Sequence, residues 1–87
     1  MPRYISQHTL ACLTRQGAEE LARQLPRTGS VAARRAMFNL IEGKMLVEFD
    51  APDRDAIERW FAAEKFHFDW LLRIELEHVD GKLALPV

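Results

Sequence analysis

Hydrophobic positions in this chain recur on two different periods, and the points where one period gives way to the other mark out its elements. From Arg3 to Leu10 the pattern alternates: Tyr4, Ser6 and His8 share one parity, and Tyr4, Ile5 and Thr9 are residue types at home in strands, so this segment predicts a first strand. The period then lengthens. Ala18, Leu21, Ala22 and Leu25 fall at i, i+3, i+4 and i+7, the stripe of an amphipathic helix. Thr14 is its N-cap, Leu13 and Ala18 are placed as a hydrophobic staple, and Pro26 stops it. Gly29 and Ser30 separate it from the next element.

Val31 to Ile41 carries both signals. Ala32, Ala33 and Ala36 favour a helix, whereas the alternation of Arg34, Ala36, Phe38 and Leu40 favours a strand. Context selects the strand: Glu42-Gly43 reads as a tight turn, and beyond it Met45, Val47 and Phe49 alternate with Lys44, Leu46, Glu48 and Asp50. Residues 32–41 and 44–50 are therefore expected to pair as a hairpin. Pro52 ends the second of these strands and Asp53 caps a second helix, with Asp55 near its positive end and Ala56, Ile57, Trp60, Phe61 and Ala63 as the buried stripe. Alternation returns from His67 to Val79, with Phe68, Trp70, Leu72, Ile74 and Leu76 on one parity and Asp69, Arg73, Glu75 and Glu77 on the other, which predicts one long strand. Asp80-Gly81 predicts a turn that returns Lys82 to Leu85 as a short edge strand before Pro86.

The order βαββαβ, with a hairpin between the second and third strands, predicts an α+β domain of ferredoxin-like architecture: a four-stranded antiparallel sheet with two helices on one face. Right-handed crossovers give the strand order 4-1-3-2. The 87 residues are expected to form a single domain over 1–87. The second sheet face is left bare. A chain this short buries only about 60–65% of its unfolded surface, so self-association to a homodimer is the expected supplement to its core.

Charge removes several function classes. Twelve Lys and Arg against thirteen Asp and Glu give a net charge of −1, without the basic excess that phosphate-backbone binding needs, so nucleic acid is not an expected partner. Apolar runs are a few residues long, far below the ~20 of a membrane span. The single Cys12 has no intrachain disulfide partner, and Met1 leads straight into a strand pattern with no basic and apolar leader; both point to a cytoplasmic protein.

No spacing in the chain matches a nucleophile triad, a phosphate loop or a closed metal site. Among single residues, His8 at the end of the first strand and His67 ahead of the last are the candidate metal ligands, weighed against histidines satisfied by water or backbone at strand ends. A zinc or nickel site wants three or four N or S donors. Arg34 and Arg35 adjoin on the second strand and point to opposite faces by strand alternation, so one of them is available to clamp a ligand carboxylate, against the alternative of a solvated edge charge. Trp60, Phe61, Phe66, Phe68 and Trp70 read either as core and dimer contact or as the wall of a pocket between the second helix and the last strand, with Trp70 the candidate ligand contact. Asp53, Asp55 and Glu58 read as a solvated helix start, and no general acid/base pair is supported.

Two resemblances add to this reading. The block GKMLVEFDAPDRDAIERW is similar to the third strand and second helix of an RNA-recognition motif, but Met45 and Val47 stand where that motif places stacking aromatics. Over nearly its whole length the chain resembles a bacterial family of small ferredoxin-like proteins of unknown function that includes a nickel-binding, nickel-responsive member. The resemblance rests on YISQHTL ending near His8, the capped helix at Thr14, the turn at Glu42-Gly43, the Ala51-Pro52 strand end and His67 ahead of the last strand. It implies binding of a divalent metal such as nickel, with His8 and His67 as the residues that carry over; AMFNLIEGKMLVEF supplies no further His or Cys. By fold alone the chain is also similar to dimeric α+β barrel enzymes of small monooxygenase or isomerase type. Three function classes are open on these grounds: a metal or small-ligand binding protein, a dimeric barrel enzyme, and an interaction module.

Overall fold

The computed structural model describes residues 1–11 and 13–86, so Cys12 lies outside the described residues. Among the described residues, six strands and two helices run in the order β1 (Arg3–Thr9), α1 (Arg15–Arg23), β2 (Ala32–Asn39), β3 (Lys44–Asp50), α2 (Arg54–Ala63), β4 (Trp70–Ile74), β5 (Glu77–Val79) and β6 (Lys82–Ala84). Strands β1 to β4 form the main sheet in the order β2-β3-β1-β4, all antiparallel. This small α+β arrangement has the predicted strand order and is compatible with a ferredoxin-like fold.

Both helices start where their caps dictate. The Thr14 hydroxyl accepts from the Gly17 amide at 3.0 Å, and the Asp53 carboxylate from the Ala56 amide at 2.8 Å, each satisfying an amide that the first helical turn leaves without a partner. Ala56, Ile57 and Phe61 of α2 are buried, with Trp60 packed at the margin. Ala63, expected in the same stripe, is the last residue of the helix and is exposed.

The core is the layer between these helices and one sheet face. Tyr4 from β1, Met45, Val47 and Phe49 from β3, and Leu71 from β4 meet Ile57 and Phe61 there, and Met45, Val47, Phe49 and Ile57 are completely buried. In β1 and β3 the alternation maps onto the sheet directly: buried positions alternate with half-buried ones along both strands as far as Phe49. The β2–β3 connection depends on Gly43, which has φ of 68°; a Cβ there would stand 2.6 Å from the Leu10 carbonyl oxygen. Backbone conformation and space both require glycine at this position.

Two further sequence expectations are corrected. The alternation from His67 to Val79 is not one strand. β4 pairs with β1 from Trp70 opposite Gln7 to Ile74 opposite Arg3, and Arg3 is where β1 begins, so beyond Ile74 there is no partner backbone to pair with. The chain leaves the sheet, and Glu77–Val79 pairs instead with Lys82–Ala84 in a separate two-stranded ribbon. Its turn is the predicted Asp80-Gly81, with φ of 51° and 80°, the left-handed pair of a type I′ hairpin. The second correction concerns β2: its register with β3 shifts between Ala33 and Arg35, a bulge at Arg34. Arg34 and Arg35 consequently do not split between faces. Arg34 bonds Asp50 at 3.0 Å and Arg35 bonds Glu48 at 2.9 Å, two carboxylates of the same β3 parity.

Candidate functional site

The face of the sheet turned away from the helices has no covering layer among the described residues. Register places Trp70, Leu72 and Ile74 of β4 beside Gln7, Ile5 and Arg3 of β1, then Leu46, Glu48 and Asp50 of β3, then Met37, Arg35 and Ala32 of β2. Its β4 side is apolar, and Trp70 and Leu72 are 40% and 56% exposed. Its polar side neutralises itself: Arg3 and Arg34 both contact Asp50, and Arg35 contacts Glu48. At the far end of the face, Asp69 accepts hydrogen bonds from the Thr9 hydroxyl (2.6 Å) and the Gln7 amide (3.2 Å), while Lys44 donates to Thr9 at 2.8 Å. The Thr9 hydrogen bond, then that of Gln7, holds the Asp69 carboxyl below the usual carboxylate range.

The segment of the β5–β6 ribbon carries further exposed apolar residues, with Val79 and Leu83 on its two opposite faces. Leu76, Val79, Leu83 and Leu85 are all exposed, Leu85 at 74%. A two-stranded hairpin has little stability of its own in water, and this one is hydrogen-bonded only to itself as a sheet. It also lengthens the molecule: the radius of gyration is 13.5 Å, above the ~12 Å of a compact chain of this length.

The candidate metal ligands meet in an arrangement that the sequence could not specify. His8 is fully buried on the covered face, and its Nδ1 lies 2.6 Å from the main-chain carbonyl oxygen of His67. A carbonyl only accepts, so Nδ1 carries the proton, and in the neutral ring Nε2 accepts from the Ser6 hydroxyl at 2.8 Å. Phe61 and Phe66 stand edge-on to the imidazole at 5.3 and 5.8 Å. Burial holds the His8 pKa below the ordinary histidine value, outweighing the opposing pull of the His67 carbonyl and Asp69. His67 thus reaches His8 through its backbone, while its own residue is exposed. Both ring nitrogens of His8 are engaged, and among the described residues no group of three or more His, Cys, Asp or Glu is arranged to hold a metal ion. Ser6 is the partner that parity alone could have found, two residues before His8 in the same strand.

The other candidates divide. Arg34 and Arg35 stand together at the bulge of the β2 edge. Trp70 lies on the opposite edge strand, three strand spacings or roughly 14 Å across the sheet, and does not converge with them. Phe66 and Phe68 pack against the core with Phe61. Among the described residues no helix is long and apolar enough to cross a membrane. No family model, curated protein or solved structure matches this chain.

Proposed function

We propose that this chain is a ferredoxin-like interaction module that acts as a homodimer, joined through the uncovered sheet face and the β5–β6 ribbon. The observation that carries the reading is the set of exposed apolar side chains on strands that no second layer covers among the described residues: Trp70 and Leu72 on the sheet, with Leu76 and Leu83 of the ribbon segment. A sheet with one face in the core needs either a polar second face or a partner. Here the second face is polar only where its charges are already paired with one another, so two such faces can meet without stranding an ion. A second copy is the occupant because the surface combines a flat face with a projecting ribbon, and two-fold docking lays each ribbon along its partner's sheet edge.

In this reading His8 is a structural side chain that ties β1 to the segment ahead of β4, and the nickel expectation would require Ser6 or the His67 carbonyl to release it. Sedimentation of the wild-type chain and of Leu72→Glu tests the proposal. A concentration-dependent dimer that Leu72→Glu converts to a folded monomer supports it; a wild-type monomer up to hundreds of micromolar, or a dimer indifferent to Leu72→Glu, overturns it.

A further inference from the structure

At the β2 edge of the sheet, on the strand farthest from β4, a cleft of about 240 Å3 lies between the bulged strand and the end of α1. Its walls are Ala22 and Leu25 on one side and Ala33 and Ala36 on the other, and its rim carries Arg27, Arg34 and Arg35. Among the described residues, no acidic side chain lines it. The Ala33 amide donates to the Pro26 carbonyl at 2.7 Å, which fixes the segment carrying Arg27 against the strand carrying the other two arginines.

The three guanidinium groups are not equivalent. Arg34 commits Nη1 to Asp50, and Arg35 commits Nε and Nη2 to Glu48. Arg27 makes no ion pair or side-chain hydrogen bond among the described residues, so its whole planar fork is available for two parallel hydrogen bonds to one oxyanion. With Arg34 and Arg35 balanced by Asp50 and Glu48, the charge left to draw an anion to the cleft is that of Arg27. The alanine and leucine walls meanwhile offer dry contact to an apolar body, and the volume lies below the ~300–1,000 Å3 of sites for drug-sized molecules.

The geometry points to a binding site for a small organic anion, with its carboxylate or phosphate held by Arg27 at the rim and its short apolar body against Ala22, Leu25, Ala33 and Ala36. Arg34 and Arg35 border the rim while remaining paired to β3. Arg27 and the alanine and leucine walls lie off the apolar patch of Trp70, Leu72 and the ribbon, and only Arg34 and Arg35 are shared with the uncovered face.

The test is a titration of the full chain at low salt, followed by amide NMR shifts, with benzoate, phenyl phosphate, inorganic phosphate and uncharged benzyl alcohol as probes. Saturable shifts at Ala22, Ala33 and Ala36 with benzoate or phenyl phosphate are expected, at least tenfold weaker with benzyl alcohol and with inorganic phosphate. The stronger of the first two identifies the head group. Arg27→Gln should weaken binding about tenfold while the fold, read by the unaltered shifts of β1 and β3, is retained; Arg27→Lys should recover only part of it. Absence of saturation by either organic anion, equal affinity for inorganic phosphate, or an Arg27→Gln chain that binds as the wild type does would each overturn the assignment.

Discussion

Leu71 and Leu72 are neighbours in β4 and live in different surroundings. Leu71 points into the layer under the helices and is 5% exposed; Leu72 points away from them and is 56% exposed. The same contrast runs across the sheet: Met45, Val47 and Phe49 are sealed on one face, while Leu46 stands half-buried and Glu48 and Asp50 hold arginines on the other. The covered face holds the fold together within one chain. The uncovered face contributes little to that and is the face the proposed dimer uses. Apolar content alone does not separate the two roles; what separates them is whether this chain supplies the second layer.

The contrast is sharpest where the covered layer is densest. Phe61 is 1% exposed and touches the rings of His8, Phe49, Trp60, Phe66 and Phe68. Phe61→Ala should cost about 3–5 kcal/mol in urea unfolding, a large share of the ~5–15 kcal/mol a small domain has in total. The leucine pair then makes the comparison with chemistry held constant. Leu71→Ala is expected to cost about 2–5 kcal/mol through the cavity it leaves. Leu72→Ala, measured at concentrations where the chain is monomeric, should change stability by no more than about 0.5 kcal/mol while weakening self-association. Equal costs for the two leucines would erase the distinction between the faces.

His8 adds a pH dependence to the covered face alone. Its folded pKa lies below the unfolded value of 6.5, so above that value both states are neutral and stability is insensitive to this group. As the pH falls below 6.5 the unfolded chain takes up a proton that the buried ring resists, and stability declines until the folded pKa is passed. The loss amounts to about 1.4 kcal/mol for each unit by which burial lowers the pKa. Urea midpoints for the wild type and His8→Gln between about pH 8 and 5 check it, the variant being less stable throughout and lacking this part of the slope. A modest effect is expected at the helix start: Asp53→Ala should remove about 1 kcal/mol by leaving the Ala56 amide without its acceptor, with no change in affinity for the proposed dimer, because α2 lies on the opposite side of the sheet.

Much of the covered face was legible in the sequence, because each of its signals is local. Thr14 and Asp53 announce helix starts by their own side chains, Gly43 announces a turn by its backbone freedom, and the alternation through Tyr4, Ser6, His8 and Met45, Val47, Phe49 needs only a pleat to become a core. The uncovered face was less legible because its outcome is set by partners distant in sequence. The end of β4 at Ile74 is decided by where β1 begins, at the other end of the chain, and nothing in the run Leu72 to Val79 marks it. The bulge at Arg34 is likewise a matter of register with β3, and it defeats the alternation that would have sent Arg34 and Arg35 to opposite faces. At the candidate site, His8 and His67 could be singled out from sequence, but only the register shows that their meeting is ring to carbonyl.

The division between a self-sufficient face and an associating one is put to its sharpest test by amide hydrogen exchange of the wild-type chain at two concentrations, about tenfold apart and straddling the dimer transition. Protection is expected to rise with concentration across Trp70 to Ile74 and Glu77 to Ala84 and to stay constant in α1 and α2. Protection that is independent of concentration, or that rises on the helices in place of β4 and the ribbon, would contradict it.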